Sequence, residues 1–367
     1  MNKTGFGFLR LPRLDPGDEK STDFALLNTL VDRFLALGGR YFDTAYTYLG
    51  GASEEAIRRC LVERHPRDAF LLADKLPGYQ VRSPEECTAY LEESLNRCGV
   101  DYFDVYLLHW LNEKNYATAE KFGEFAFLQE CKVKGKARKI GFSYHDSPEL
   151  LDTILTAHPE VDYVQLQINY LDWDSPSLEA RKCYDVAVKH GKSVIVMEPV
   201  KGGSLVNLPK EAEALLKAAA PEESTASWAI RFATSLPQVE IVLSGMNAMA
   251  QIEDNLRSFP VLTEAERSLL NSAAQIIRAN TAVACTGCGY CLSHCPIGMP
   301  IPKYFSLYNE YARDPQEGWK MQHVYDALAK DAPKASACLS CRRCQDHCPQ
   351  KLTIPEYLNR TTEAFEK

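Results

Sequence analysis

Eight cysteines near the C-terminus stand at metal-binding spacing. Cys285, Cys288, Cys291 and Cys295 follow C-x2-C-x2-C-x3-C and run into Pro296. Cys338, Cys341, Cys344 and Cys348 repeat the spacing and run into Pro349. Four soft thiolates satisfy the irons of a 4Fe–4S cube, and the C-x2-C-x2-C turn aims three of them at one cluster. In two-cluster proteins the fourth cysteine, before the proline, ligates the other cluster. The expected sets are therefore Cys285, Cys288, Cys291 and Cys348 for one cluster, and Cys338, Cys341, Cys344 and Cys295 for the second. Gly287, Gly289 and Ser340 leave room and free backbone N–H groups for cluster sulfurs. Structural zinc usually takes two Cys-x2–4-Cys hooks, four ligands in all, which two quartets ending in Cys-Pro do not match. His294 and His347 each precede a ligand cysteine and are expected beside the clusters, not as ligands.

The elements upstream must position any further chemistry. Between about residues 38 and 260, short apolar runs alternate with helical patterns. The strand-like runs are 40–45, 70–75, 103–109, 138–143, 162–167, 193–198 and 240–245, rich in Val, Ile, Leu, Tyr and Phe as buried parallel strands are. Ser83-Pro84-Glu85-Glu86 reads as a helix start with a capping box, and Ser147-Pro148 and Ser175-Pro176 as further starts. Thr263 with Glu266 caps the helix that closes the region. Such βα alternation argues for a (β/α)8 barrel or a doubly wound sheet. Seven strands are legible, and an eighth is expected between Leu208 and Ser224. The domain boundary falls at 280/281, with the iron–sulfur domain over 281–367. The two cysteine runs are separated by 42 residues holding two predicted helices, near 302–312 and 318–331. That spacing resembles all-helical two-cluster ferredoxin modules, not compact hairpin ones.

Catalytic groups of a barrel collect at the C-terminal ends of its strands. The first legible strand ends in Asp43, with Tyr48 five residues on; the second ends in Lys75; the third ends in His109. Singly, each has a plain structural explanation: a loop cap, a solvated strand end, a hydrogen-bonded histidine beside Trp110. On three consecutive strand ends they converge at one mouth.

These segments, FDTAYTYLGGASEEAI, LLADKLP, YLLHW and KIGFS, resemble the aldo/keto reductase superfamily over about residues 4–279. The resemblance implies a (β/α)8 TIM barrel, with GFGFLRLP as a hairpin plugging its bottom, and a catalytic tetrad of Asp43, Tyr48, Lys75 and His109. A carbonyl accepting hydride develops negative charge on oxygen and must be protonated. Tyr48 would be the acid. A free phenol, at a pKa of about 10, is too weak an acid unless perturbed, and a nearby Lys75 ammonium is expected to lower it. Asp43 would hold Lys75, and His109 would orient the carbonyl and assist proton transfer.

The resemblance also implies a nicotinamide, NADH or NADPH, as hydride source. Ser143 and Gln165 match the residues that hold its carboxamide; the usual Asn partner is replaced by Tyr144. Met197 takes the place of a stacking aromatic, and 198–203, including Gly202, would form the loop near the pyrophosphate. Segment 244–255, with Gly245, Asn247, Gln251 and Asn255, matches the part that binds the adenosine 2′-phosphate, yet carries no basic residue. A 2′-phosphate calls for charge-assisted hydrogen bonds, so NADH is expected to bind at least as well as NADPH.

Composition narrows the surroundings. With 367 residues, 46% hydrophobic and 25% charged, the chain is ordinary for a globular protein. A net charge of −8 without a basic run argues against nucleic acid. No apolar stretch reaches membrane-span length, and MNKTGFGFLRLPRLD has no export pattern. Cys60, Cys87, Cys98, Cys131 and Cys183 are read as reduced, packed thiols of a cytoplasmic protein. One reading is a reductase of small carbonyls, or dehydrogenase of alcohols, with two electron-carrying clusters. The other is an electron-transfer or redox-sensing protein whose barrel binds a nucleotide and whose clusters serve a redox partner protein. A nicotinamide gives two electrons and a cluster takes one. A flavin normally splits them, and the chain shows no flavin motif.

Overall fold

In the computed structural model the described residues are 2–15, 18, 21–176, 178–257, 259–313 and 318–366. The chain divides into two compact units: Met1–Asp174 with Glu179–Pro199 and Ala226–Thr263, and Ser175–Leu178 with Val200–Thr225 and Glu264–Lys367. The segments 200–225 and 264–279, upstream of the 280/281 boundary read from sequence, pack with the cysteine-bearing unit.

The first unit is an eight-stranded parallel closed barrel: β1 Thr4–Gly7, β2 Tyr41–Asp43, β3 Leu71–Leu76, β4 Phe103–Leu111, β5 Ala137–Tyr144, β6 Tyr163–Gln167, β7 Ser193–Met197 and β8 Val239–Ser244. One expectation is corrected. The eighth strand is not between Leu208 and Ser224, where a helix Lys210–Ala219 forms instead. It is TGFG at the N-terminus, which pairs with both β2 and β8 and closes the barrel. The expected plugging hairpin is thus, in part, a wall strand. A Cβ on Gly5 would meet Leu243, Ile241 and Tyr41 side chains at 2.9–3.0 Å, so the strand has to be small on its inner face.

Tyr41, Ala73, Val105, Leu107, Ile195, Ile241 and Leu243 fill the barrel interior. Outside it, Phe6, Phe8, Phe34, Phe42 and Phe70 make a run of tilted and edge-on ring contacts under the helix Phe24–Ala36. Buried aromatic and branched side chains stabilise by roughly 1.5–3 kcal/mol each, so this packing holds the strand ends in place. The helix starts follow the local signals unevenly. Ser147 caps Pro148–Ala157 by accepting from the Leu150 N–H at 3.3 Å. Ser83 stands at the start of Pro84–Cys98 without a capping bond, and Glu86 instead accepts from the Arg82 N–H at 2.8 Å. Ser175-Pro176 starts no helix; turns intervene and Ala180–Lys189 begins after Glu179, whose φ of 49° redirects the chain.

The second unit is helical. Glu264–Ala279 packs against Lys210–Ala219. Ile301–Arg313 and Gly318–Asp331 fall where the sequence places them, and Ile354–Phe365 ends the unit. Met299, Tyr304, Phe305, Tyr325, Ile354 and Phe365 form its core. Cys60, Cys87, Cys98, Cys131 and Cys183 are all buried and unbonded to one another. Burial pushes the thiols of Cys60 up to about 11 and of Cys87 and Cys131 up to about 12, which keeps them unreactive. No helix among the described residues is long and apolar enough to cross a membrane.

Candidate active site and cluster sites

Asp43 ends β2, Lys75 lies near the end of β3 and His109 near the end of β4. Tyr48 opens a tight turn, Tyr48–Gly51, in the loop after β2. The barrel brings all four together. Lys75 Nζ donates to Asp43 Oδ1 and to the Thr44 carbonyl, both at 2.7 Å. It also lies 4.9 Å from the centroid of the Tyr48 ring. The Tyr48 and His109 rings meet edge-on at 5.7 Å. Lys75 is fully buried and Asp43, Tyr48 and His109 nearly so. Asp43 Oδ2 and His109 Nδ1 are buried without a hydrogen-bond partner.

The electrostatics differ from the expectation for Tyr48. Its phenol is pushed well above the ordinary value, by burial first and then by the negative charges of Asp43 and other nearby acids. The Lys75 ammonium, paired with Asp43 at 2.7 Å, does not outweigh these. Tyr48 therefore keeps its proton through the physiological range. His109 is held well below its ordinary value by burial, by Lys75 and by His145, so its imidazole is neutral. Burial also raises the Asp43 carboxyl, against the pull of Lys75.

Ser143, Gln165 and Met197 are the next group. Ser143 and Gln165 are register partners across β5 and β6, and Gln165 Nε2 lies 3.4 Å from the Met197 sulfur. Gln165 Oε1 is buried and unpartnered, a free acceptor for an amide. Ser143 Oγ accepts from the Trp110 N–H at 2.7 Å and keeps its own proton to donate. A buried acceptor beside a buried donor fits a carboxamide. Tyr144 points away and donates to the Ser147 carbonyl at 2.6 Å.

Residues of the 244–255 segment make local contacts in the barrel unit. Gln251 Oε1 accepts from the N–H groups of Asn247 and Ala248, at 2.7 and 3.1 Å, at the start of the helix Met249–Asn255. Asn255 donates to Ser244 Oγ at 3.0 Å. Gly245 has the Arg10 side chain 3.3 Å from where a Cβ would be. That arginine, far away in sequence, also lies 4.0 Å from Glu198 and brings a cation to a segment with none of its own. Gly202 belongs to the other unit, against the carbonyl of Thr286.

The sequence reading missed two mouth residues. Tyr79 packs edge-on against both His109, at 6.0 Å, and Trp110, at 5.6 Å. Trp110 has a φ of 63°. An aromatic in the loop after β3 and another directly after His109 were the available signals. A third group, Gln167 at the end of β6 with Asn169 and Asp172 after it, is buried; Asn169 donates to Asp172 at 2.9 Å and to the Glu198 carbonyl at 3.2 Å.

In the second unit the cysteines sort into two cavities. One is lined by Cys285, Cys288, Cys291 and Cys348; the other by Cys295, Cys338, Cys341 and Cys344. Each set takes three cysteines from one run and the fourth from the other. The backbones repeat as well: Gly287 and Ser340, and Gly289 and Arg342, at matching positions, all have positive φ, from 50° to 82°. The Gly287 and Met299 N–H groups donate to Cys285 and Cys295 sulfurs at 3.4 Å. Burial and the crowding of neighbouring thiols raise Cys291 and push Cys344 up to about 11. Such thiols hold their protons unless a cation displaces them, as iron would. The donor sets fit 4Fe–4S clusters. His294 and His347 stack on each other, centroids 3.4 Å apart.

Comparison with known proteins agrees with both halves. Residues 5–275 match the model of the Aldo/keto reductase family, and residues 284–353 that of the 4Fe-4S dicluster domain. An aldo-keto reductase of Mycolicibacterium smegmatis is 31% identical over 48% of this chain, which spans 59% of that protein. An NADH-specific methylglyoxal reductase of Escherichia coli is 25% identical over 65% of this chain and 85% of its own. Among solved structures, aldo-keto reductase AKR11C1 from Bacillus halodurans, holo form, has a TM-score of 0.59 at 23% identity, covering 74% of this chain and 91% of that one. An aldo-keto reductase from Klebsiella pneumoniae in complex with NADPH has a TM-score of 0.58 at 18% identity, covering 74% and 90%.

Proposed function

Because this chain belongs to the aldo/keto reductase family, we propose that it reduces a small aldehyde or ketone at the Tyr48 hydroxyl, or runs the reverse alcohol oxidation. The observation that carries the reading is the Asp43–Lys75–Tyr48–His109 group at adjacent strand ends. Bound nicotinamide supplies or takes the hydride. The chain does the rest. Tyr48 holds the proton for the carbonyl oxygen, and neutral His109 offers a hydrogen bond that orients it. Lys75, pinned by Asp43, places a cation beside the developing oxyanion. Ser143 and Gln165 would hold the carboxamide, through one hydroxyl proton and one free carbonyl.

NADH is the expected carrier, at least on a par with NADPH. The 244–255 segment has no basic residue, and Arg10 beside it is already near Glu198. The E. coli relative is named as NADH-specific. The two cysteine sets would hold two 4Fe–4S clusters, which pass single electrons to a redox partner protein or to the barrel site.

The test is turnover by the iron-loaded protein of a panel of aldehydes and ketones, methylglyoxal included, with NADH and NADPH compared. Turnover lost in Y48F supports the reading. Absence of turnover across the panel, in either direction and with either carrier, would sink it. NADH added without substrate, with the cluster absorbance followed, shows by bleaching or its absence whether the clusters receive those electrons.

A further inference from the structure

A lysine in the loop after β7 stands out because the barrel chemistry does not use it. Lys201 follows Met197, the end of β7, by four residues, and it packs in the second unit. Lys201, Gly202 and Gly203 have φ values of 48°, 63° and 97°. A Cβ on Gly202 would lie 2.1 Å from the Thr286 carbonyl oxygen, so this turn is seated directly on the first cysteine run. The seat fixes Lys201, which is 2% exposed. Its Nζ donates to Gln350 Oε1 at 3.2 Å. Gln350 and Thr286 both line the cavity of Cys285, Cys288, Cys291 and Cys348. A buried ammonium thus stands behind the wall of one cluster cavity. Among the described residues, the cation that lines the other cavity is Arg342, which is exposed to water.

Burying an ammonium is costly unless nearby negative charge offsets it. A cluster on four thiolates is negative when oxidised and one charge more negative when reduced. A fixed cation therefore favours the reduced form, and does so most strongly where water is excluded.

We propose that Lys201 sets the reduction potential of the cluster on Cys285, Cys288, Cys291 and Cys348, holding it above the value that cluster would have without the buried charge. The role rests on the two-cluster reading of the cysteine runs. The change at issue is the gain of one electron by this cluster, supplied in the test by a chemical reductant, with no bond made or broken.

The experiment is a potentiometric titration of the iron-loaded full-length protein, followed by electron paramagnetic resonance, for wild type, K201M, K201R and Q350E. In K201M one of two reduction steps should move negative by about tenfold in its one-electron equilibrium constant, about 59 mV. K201R keeps the charge and should keep the step. Q350E sets a carboxylate on the ammonium and should move the same step negative. C341S, which alters the other cluster, should perturb the step that Lys201 leaves alone. If K201M fails to retain iron, Q350E decides by the same criterion. The proposal is overturned if neither step moves in the loaded variants, or if both move together. A wild-type protein that binds clearly fewer than about eight irons, four per cube, overturns it differently, by removing the two-cluster reading beneath it.

Discussion

Lys75 Nζ lies 2.7 Å from Asp43 Oδ1, with the lysine fully buried and the aspartate nearly so. Each half of the pair acts on a neighbour: the Asp43 charge helps to raise Tyr48, and the Lys75 charge helps to lower His109. Tyr48 keeps its proton because burial first, and the Asp43 charge second, hold the phenol up.

Y48F should therefore remove carbonyl reduction and little else. Loss of a positioned general acid costs typically 10²–10⁴-fold. Steady-state kinetics should show a fall in kcat of that size, while the NADH dissociation constant, read by fluorescence, changes less than about twofold. Near-normal turnover by Y48F would remove Tyr48 from its role.

The pH profile follows from two directions. Tyr48 is raised, so it loses its proton only above the ordinary phenol value of about 10. His109 is lowered, so it stays neutral through and below the ordinary histidine value of about 6.5. The kcat/KM for reduction should be flat from about pH 6.5 to 9.5. An inflection inside that window that H109Q removes would contradict the neutral imidazole.

Breaking the buried pair should cost more than deleting it. K75M leaves Asp43 without its cation and should destabilise by about 3–5 kcal/mol. D43N in the K75M background removes the orphaned charge and should recover part of that loss in urea unfolding. Equal stability of the single and double variants would show that the pair is not coupled.

Glu124 is a separate case. It is 1% exposed, both its oxygens lack a partner, and burial pushes its carboxyl up to about 7. The folded value lies above the unfolded one of about 4.3. Its protonated form thus supports the fold fully below about pH 4, and that support is lost as pH rises through about 7. E124Q should therefore match wild type near pH 4 and exceed it at pH 8 by on the order of 3–4 kcal/mol. A pH-independent difference would refute this.

The crossed cysteine sets make a further prediction. C348S lies in the second run, yet should deplete the cluster built on Cys285, Cys288 and Cys291. C295S, in the first run, should deplete the one on Cys338, Cys341 and Cys344. Iron per chain and the surviving resonance signal, compared with C288S and C341S, check the pairing. C348S behaving like C341S would refute it.

The sequence by itself determined what depends on local order. Spacing alone brings Cys285, Cys288 and Cys291 onto one turn, because a C-x2-C-x2-C segment has few ways to fold around a metal. Apolar runs ending in Asp43, Lys75 and His109 marked strand ends in the same way. Tertiary structure decided the rest, because it rests on partners distant in the chain. TGFG offers no apolar alternation and becomes a strand only by pairing with β2 and β8. Asn247, Gln251 and Asn255 bind their own helix and β8, which no motif reports. The charge states of Tyr48 and His109 follow from burial first, and then from the charges of Asp43 and Lys75 respectively. Lys201 read as one more loop residue until folding buried it against Gln350. Residue type and spacing are written in the chain, but the dielectric and the charges around a residue exist only once the chain has folded.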